Sequence, residues 1–327
     1  MKKRIVIFSS TGDLHADRVI GLLPSSVEAI RLNLDDPSMW SLSYLDGDIR
    51  ISTDSDTFGL EELLSVFVRR IPSLESFKQT VSKQYVQYED YIAHQQFFLF
   101  SDCLAVLDGT KPFINPLASA SLAGKAVQAK IAQAVGLLTP RTYMGCDPAT
   151  AFNFSRELVS KKAQICTKPI INKKVRIGGE DHTRYTEVLA VPPSRESLQS
   201  LESCPAIFQE YIPKAYEIRA TVVADQIFAA RIDSQSPGGG TAIDWRRYNV
   251  PKTPHSAYTL PPTVEDQIIT LQQRLNLKYS AFDFIRTPDG EYVFLETNPF
   301  GQWLWIEDLT GLPISKAIAE FLVTPSA

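Results

Sequence analysis

The sequence has few of the residues that disulfide-stabilised and zinc-dependent folds require. Its four cysteines, Cys103, Cys146, Cys166 and Cys204, are far apart in the chain, and no two of them form a Cys-x-x-Cys pair. Their number and spacing signal neither a disulfide framework of the kind found in small secreted domains nor a zinc site. We therefore expect reduced, structural cysteines in a cytoplasmic protein.

Long apolar runs, a strong charge bias and a glycine fingerprint are also missing. No stretch approaches the ~18 apolar residues of a membrane span, and the apolar run at 5–8 is too short for a secretory signal. The net charge of −4 argues against a nucleic-acid scaffold, which carries a basic stripe. No Gly-x-Gly-x-x-Gly follows the first strand, which argues against dinucleotide binding there. The sequence predicts a globular protein without a membrane or nucleic-acid partner.

What is present indicates an α/β protein of two or three domains, since a domain usually has ~100–200 residues. A strand over 4–8 (RIVIF), a helix through Leu23 and a strand over 27–34 predict a βαβ-like start. Residues 111–116 (KPFINP) contain two prolines and predict a domain boundary. Between the strand over 27–34 and this boundary we expect one long helix over 77–107. We also expect the arginine pair at 69–70 to lie at a solvated strand end.

The most informative stretch, 280–305, predicts a β-hairpin. Two runs rich in β-branched and aromatic residues flank Asp289-Gly290, a dipeptide typical of two-residue turns because it tolerates positive φ. If these two residues form the whole turn, Pro288 faces Glu291 at the end of the ladder. Counting outward from that pair fixes which side chains share a face.

This count sets Asp283 opposite Glu296, and Asn298 points the same way because strand side chains alternate. Two carboxylates ~5 Å apart repel each other unless a cation lies between them. Hard oxygen donors in this arrangement suit Mg²⁺. Two alternatives stay open: the carboxylates lie on a solvated outer face, or a three-residue turn sends them to opposite faces.

Several cations precede the hairpin. Lys168 lies inside the apolar strand 165–171 (ICTKPII), where it needs an anionic partner or a strand edge that lets its ammonium reach water. The polar loop 173–183 with its paired glycines is a candidate phosphate flap. Strands over 217–233 carry Glu217, Arg219 and Arg231, and their spacing predicts that the three share one face.

In this order the elements resemble the ATP-grasp superfamily. The runs 281–285 (AFDFI) and 296–307 (ETNPFGQWLWIE) are similar to a narrower group, the ligases that mature ribosomally made peptides, known as microviridin and wider graspetide synthetases. The resemblance covers most of the chain, is strongest from Lys125 onward and is loose before it. It implies an N-terminal pre-ATP-grasp domain (1–115), a central domain (116–206) and a C-terminal domain (207–327), with ATP between the last two.

The resemblance also implies a role for individual residues. The phosphate-binding lysines are Lys125 and Lys168. Adenine binds the linker strand at Glu210, Tyr211 and Ile212, and the ribose binds Glu217. The magnesium ligands are Asp283, Glu296 and Asn298. Arg219 and Arg231 contact the transferred phosphate and the substrate carboxylate. For Asp244 and Arg246 it implies contact with the substrate peptide.

The implied reaction joins Asp or Glu side chains of a precursor peptide, activated by ATP and Mg²⁺ as acyl phosphates, to Ser or Thr hydroxyls or Lys amines. The peptide partner has a leader and an acidic core, and a homodimer of the enzyme is left open. Three alternatives remain: a ligase that adds free amino acids to a protein or small acid, a phosphotransferase that stops at the phosphorylated acid, and a non-catalytic ATP-binding protein. Ester or amide product, ring connectivity and the leader-docking surface are not determined by the sequence.

Overall fold

The computed structural model describes residues 3–171, 175–235 and 253–325. Within these ranges the chain forms eighteen strands: β1 (Lys3–Ser9), β2 (Val27–Asn33), β3 (Trp40–Leu45), β4 (Asp48–Thr53), β5 (Thr57–Phe58), β6 (Leu63–Val68), β7 (Phe113–Ile114), β8 (Thr142–Gly145), β9 (Ile165–Lys168), β10 (Val175–Ile177), β11 (Glu180–His182), β12 (Glu187–Val188), β13 (Ala206–Glu210), β14 (Tyr216–Val223), β15 (Gln226–Ile232), β16 (His255–Tyr258), β17 (Tyr279–Arg286) and β18 (Tyr292–Asn298).

The same described ranges contain nine α-helices: α1 (Leu14–Leu22), α2 (Leu74–Lys78), α3 (Glu89–Thr110), α4 (Leu117–Leu122), α5 (Lys125–Ala134), α6 (Pro148–Ser160), α7 (Pro262–Arg274), α8 (Leu304–Thr310) and α9 (Ile314–Val323). None of the helices described is long and apolar enough to cross a membrane.

The N-terminal sheet has the order β2-β1-β6-β7, with all neighbours parallel, and α1 connects β1 to β2. This confirms the βαβ-like start. The predicted single helix over 77–107 is instead two helices separated by a break, with a 3₁₀ turn at Lys83–Tyr88. At the break the Thr80 hydroxyl donates to the carbonyl of Phe77 at 2.7 Å, a side-chain bond that competes with helix continuation.

The central sheet has the order β12-β9-β13-β8. It includes β13, whose residues 207–210 the sequence reading assigned to the C-terminal domain. Because β13 pairs with both β9 and β8, this strand is interior to the central sheet. The three-domain division as a whole stays a prediction.

The C-terminal sheet has the order β16-β15-β14-β17-β18, with antiparallel neighbours, and its two faces are different. One face packs on α5 and α7 through a core that includes Ile218, Phe282 and Phe284. The other face contributes Val223 and Tyr279 to a core shared with α1, α8, α9 and the N-terminal sheet. Polar side chains on this second face form the candidate site.

Candidate active site

A row of charged side chains crosses the C-terminal sheet on one face. Arg219 of β14 lies opposite Asp283 of β17, and Asp283 lies opposite Glu296 of β18. Directly opposed residues on neighbouring antiparallel strands point to the same face of the sheet. The register therefore places one guanidinium and two carboxylates side by side.

Ion pairs connect the members of this row. Nη1 of Arg219 donates to both carboxylate oxygens of Asp283, at 2.9 Å each, and Nζ of Lys125 lies 2.6 Å from Oε2 of Glu296. The Arg219 and Asp283 side chains are only 7% and 20% exposed. Such partly desolvated pairs interact more strongly than pairs on an open surface.

The prediction that Asp283 faces Glu296 is confirmed, but the two-residue turn behind it is wrong. The N–H of Thr287 donates to the carbonyl of Glu291 at 3.0 Å, so the loop has three residues, 288–290. The register then shifts by one at a β-bulge, where Leu295 is the additional residue on β18. The bulge restores the opposition that the longer loop alone would have removed.

A cleft lies next to this row, between the central and C-terminal sheets. Its walls include eight of the predicted site residues: Lys125, Lys168, Glu210, Tyr211, Ile212, Glu217, Asp283 and Glu296. Cys166 also lines the cleft, and burial raises the pKa of its thiol. A neutral thiol of this kind is unreactive.

The segment 210–212 connects the central sheet to the C-terminal sheet along one wall of the cleft. The N–H of Glu210 donates to the carbonyl of Arg141 and that of Tyr211 to the carbonyl of Gln164, both at 2.9 Å. These bonds hold the connecting segment against the end of the central sheet. They also use two of the backbone donors that an adenine ring could contact.

Glu217 has a partner that the sequence reading missed. Nζ of Lys214 lies 2.8 Å from Oε1 of Glu217, and both residues are buried. Burial raises the pKa of Glu217, and the Lys214 ammonium opposes that shift. The sequence shows only a lysine three residues before the acid. This spacing does not predict the contact, because the fold of the turn at 213–215 determines whether the two side chains meet.

Arg231 does not join the row, so the prediction of a common face for Glu217, Arg219 and Arg231 is wrong. Arg231 lies opposite Ile218, whose side chain belongs to the α5 and α7 core, while Arg219 lies opposite Ala230. The Arg231 guanidinium lies 4.0 Å from the centre of the Tyr216 ring and pairs with Asp233. Both contacts are on the far face of the sheet.

Asn298 lies one alternation beyond Glu296 and opposite Ala281, on the same face as the row. Its side chain is exposed, and its Oδ1 accepts the N–H of Phe300 at 2.9 Å. Asp244 and Arg246 lie outside the described residues. Within those ranges no three His, Cys, Asp or Glu side chains are grouped to hold a metal by themselves.

Solved structures that resemble this chain are ATP-grasp ligases. The macrocyclase MdnC from Microcystis aeruginosa MRC, solved with its precursor peptide MdnA, is 28% identical, with a TM-score of 0.81 over 98% of this chain and 99% of that one. An ATP-grasp ligase associated with ribosomal peptides from Chryseobacterium gregarium, solved with ADP and a leader and core peptide, is 27% identical, with a TM-score of 0.84 over 99% and 98%.

The ATP-grasp ligase PsnB, solved with a minimal precursor, Mg and ADP, is 20% identical, with a TM-score of 0.74 over 98% of this chain and 96% of that one. At 20% identity, the likeness to PsnB supports only the fold. No protein-family model and no curated protein matches the sequence. Together with the charged row and the cleft, these likenesses show that the chain is an ATP-grasp ligase similar to those that act on ribosomal precursor peptides.

Proposed function

We propose that the protein activates Asp or Glu side chains of a ribosomal precursor peptide with ATP and joins them to Ser or Thr hydroxyls or Lys amines of the same peptide. The observation that carries this proposal is the row of Arg219, Asp283 and Glu296, which continues through Lys125 at the wall of the cleft. MdnC and the Chryseobacterium ligase, solved with peptides of this kind, support it.

The nucleotide lies in the cleft in this proposal. Lys125 on α5 and Lys168 on β9 bind its phosphates. The segment 210–212 contacts adenine, with Ile212 as the backbone donor because the N–H groups of Glu210 and Tyr211 are already bonded. Glu217, fixed by Lys214, binds the ribose hydroxyls. A buried carboxylate held by one ammonium is a firm acceptor for such hydroxyls.

The residues present fit Mg²⁺. Asp283 and Glu296 offer carboxylate oxygens side by side, and Asn298 adds an amide oxygen on the same face. Mg²⁺ is usually held by one or two carboxylates together with substrate phosphates, so a protein site with no third carboxylate is compatible with it. When bound there, Mg²⁺ neutralises charge on the transferred phosphate.

The chemistry takes two steps. An oxygen of the peptide carboxylate attacks the γ-phosphorus, the bond from that phosphorus to the β-phosphate oxygen breaks, and ADP leaves an acyl phosphate behind. The hydroxyl or amine then attacks the carbonyl carbon, loses its proton and expels phosphate. Arg219, with its fork directed at the row, holds the anionic carboxylate and the charge that develops at the phosphate.

The partner is a precursor peptide with a leader and an acidic core, in the cytoplasm, where ATP is supplied. We also propose a homodimer, supported by large apolar side chains that the stretch 85–99 exposes, with Tyr91 at 67% and Phe98 at 60%. Exposed apolar groups concentrated in one stretch indicate an interaction surface. Light scattering tests this: Phe98→Glu should give monomers, and an unchanged mass would contradict the dimer or its location.

The test of the proposed reaction is mass spectrometry. Any short acidic, Thr- or Lys-rich peptide encoded beside the gene is incubated with enzyme, ATP and Mg²⁺. We expect the peptide to lose the mass of one water for each bond, with one ADP released per bond. A gain in mass after adding a free amino acid would instead favour a ligase for amino acids, and a gain of phosphate a phosphotransferase.

A further inference from the structure

The segment that follows Asn298, residues 299–303, is held by side chains from distant parts of the chain. We call it the anchor loop. Its first four carbonyls each accept a hydrogen bond from a different side chain: Pro299 from Asn115 at 2.8 Å, Phe300 from Arg69 at 3.1 Å, Gly301 from Tyr279 at 2.7 Å and Gln302 from Arg219 at 3.4 Å. Two of the four donors, Asn115 and Arg69, come from the N-terminal sheet and its connections.

Arg69 is buried, which contradicts the expected solvated strand end. It is 1% exposed, its Nε lies 3.6 Å from Oδ2 of Asp13, and its guanidinium lies 5.3 Å from the centre of the Trp303 ring. Burial opposes ionisation of Asp13, but hydrogen bonding to His15 and the charge of Arg69 outweigh it and hold the pKa of Asp13 well below its ordinary value. An ionic pair buried this deeply requires a specific geometry.

His15 holds the other end of the anchor loop. Its Nε2 accepts the N–H of Trp303 at 3.3 Å, and its Nδ1 lies 3.3 Å from Oδ1 of Asp13. The proton of this imidazole is therefore on Nδ1, directed at Asp13. His15 and Arg219 thus bind opposite ends of one peptide group, the N–H of Trp303 and the carbonyl of Gln302.

The loop also lies close against the sheet. A Cβ on Gly301 would come within 2.5 Å of the Cβ of Ala281 and 2.8 Å of Nη2 of Arg219. Only glycine allows this approach. The position of the anchor loop therefore determines the space in which the Arg219 fork lies.

Resting on the proposed function, we propose that Arg69 and His15 are positioning residues for the ligase reaction. They fix the anchor loop, and the loop holds Nη2 of Arg219 while Asp283 holds its Nη1. A fork held at both ends keeps the direction of its remaining donors. Loss of the loop contact leaves Arg219 held at one end, and small misplacement of a group that binds the reacting acid lowers turnover.

The neighbouring arginine offers a matched control. Arg70 also pairs with Asp13, with its Nε 3.4 Å from Oδ2, but its side chain is 47% exposed and has no hydrogen bond to the loop in the described structure. Arg69→Lys keeps the charge beside Asp13 and loses the fork that reaches the Phe300 carbonyl. Arg70→Lys makes the same chemical change without touching the loop.

The experiment measures water loss from the acidic peptide, the KM for ATP and the affinity of the peptide for the enzyme with ADP. For Arg69→Lys we expect kcat/KM for the peptide to fall ~10- to 100-fold and peptide affinity to weaken, with the KM for ATP within about twofold of wild type. Arg70→Lys should match wild type. His15→Leu should behave like Arg69→Lys, and His15→Gln, whose amide oxygen can accept from Trp303, should recover most of the loss.

A merely structural role predicts a different pattern. In that case the melting temperature falls, the KM for ATP and kcat/KM for the peptide change together, and His15→Gln gives no rescue; that pattern overturns the proposal. Wild-type kinetics in Arg69→Lys and His15→Leu overturn it as well, while the proposed function stands. A wild-type enzyme that modifies no acidic peptide overturns both, because there is then no reaction for which to position Arg219.

Discussion

The dipeptide Asp-Gly lies at the end of two hairpins in this molecule, and the two are built differently. Asp46 and Gly47 form a two-residue loop between β3 and β4, both with positive φ (49° and 92°). In the β17–β18 hairpin the same dipeptide follows Pro288 in a three-residue loop. There only Gly290 has positive φ, 90°.

Proline explains the difference. A two-residue loop at 289–290 would need Pro288 to close the ladder against Glu291, but proline has no N–H to donate. Thr287 closes it instead, and Pro288 takes the first position of the loop, where its fixed φ suits a type I turn followed by a left-handed glycine. An identical dipeptide therefore gives a different register once the preceding residue is proline.

The bulge at Leu295 then corrects the register. Phe294 belongs to the α5 and α7 core and Glu296 to the charged row, although side chains two apart on a regular strand share a face. One additional residue lets each reach its own side. In the β14–β15 hairpin the two-residue loop is followed by no bulge, so Arg231 and Arg219 lie on opposite faces.

The largest expected effect concerns the carboxylates that the bulge brings together. We expect Asp283→Asn and Glu296→Gln to reduce peptide dehydration by roughly 10³-fold or more, since each removes one of the two carboxylates that we propose as ligands of Mg²⁺. Mass spectrometry of the peptide measures this, with folding checked by circular dichroism.

Asp289→Asn, in the loop of the same hairpin, and Glu291→Gln, at the pair that closes the loop, are the matched controls and should retain wild-type activity. Full activity in Asp283→Asn would refute the metal role of the row.

The next effect separates the two faces of the β14–β15 hairpin. Arg219→Lys should lower turnover ~10²–10³-fold because lysine cannot hold Asp283 and the substrate acid with one fork. Arg231→Lys should stay within about threefold, as expected of a surface cation–π contact of ~0.5–1 kcal/mol. Steady-state rates of ADP release compare the two. Equal losses would place Arg231 in the site after all.

A third prediction concerns the buried pair formed by Lys214, in the turn before β14, and Glu217 on β14. Lys214→Met leaves Glu217 without its cation, and we expect the free energy of unfolding to fall by ~3–5 kcal/mol. Urea denaturation measures it. Lys214→Met with Glu217→Gln should recover most of the loss, and an equally unstable double variant would contradict the pairing.

The same deficit should depend on pH. Burial raises the folded-state pKa of Glu217 above its ordinary 4.5. Above pH 4.5 the unfolded chain ionises more readily than the folded one, so the buried acid lowers the free energy of unfolding, and this cost disappears as the pH falls to 4.5. The Lys214→Met deficit should therefore be larger at pH 8 than near pH 5.

The smallest effect concerns the loop itself. Deleting Pro288 leaves Thr287 opposite Glu291 and converts the loop to Asp289-Gly290, the form seen at 46–47. We expect turnover within about twofold and stability within ~0.5 kcal/mol of wild type. A large loss of activity would mean that the loop, rather than the bulge, sets the position of Glu296.

Local signals predicted the hairpin and its two strands. The predicted opposition of Asp283 and Glu296 is correct only because two deviations cancel, the third loop residue and the bulge at Leu295. The burial of Arg69 and the Lys214 to Glu217 pair were not predictable, because each depends on how separate elements meet. The error at Arg231 was avoidable. A two-residue loop sets odd-numbered residues opposite even-numbered ones, so Arg219 and Arg231 have to lie on opposite faces of the hairpin.

The decisive test of the proposed ligase reaction is the mass of an acidic precursor peptide after incubation with ATP, Mg²⁺ and either the wild-type enzyme or Glu296→Gln. We predict that the wild-type product is lighter by one water for each ADP formed, and that Glu296→Gln leaves the peptide unchanged. A peptide of unaltered mass with the wild-type enzyme, or the same loss of water with Glu296→Gln, would contradict it.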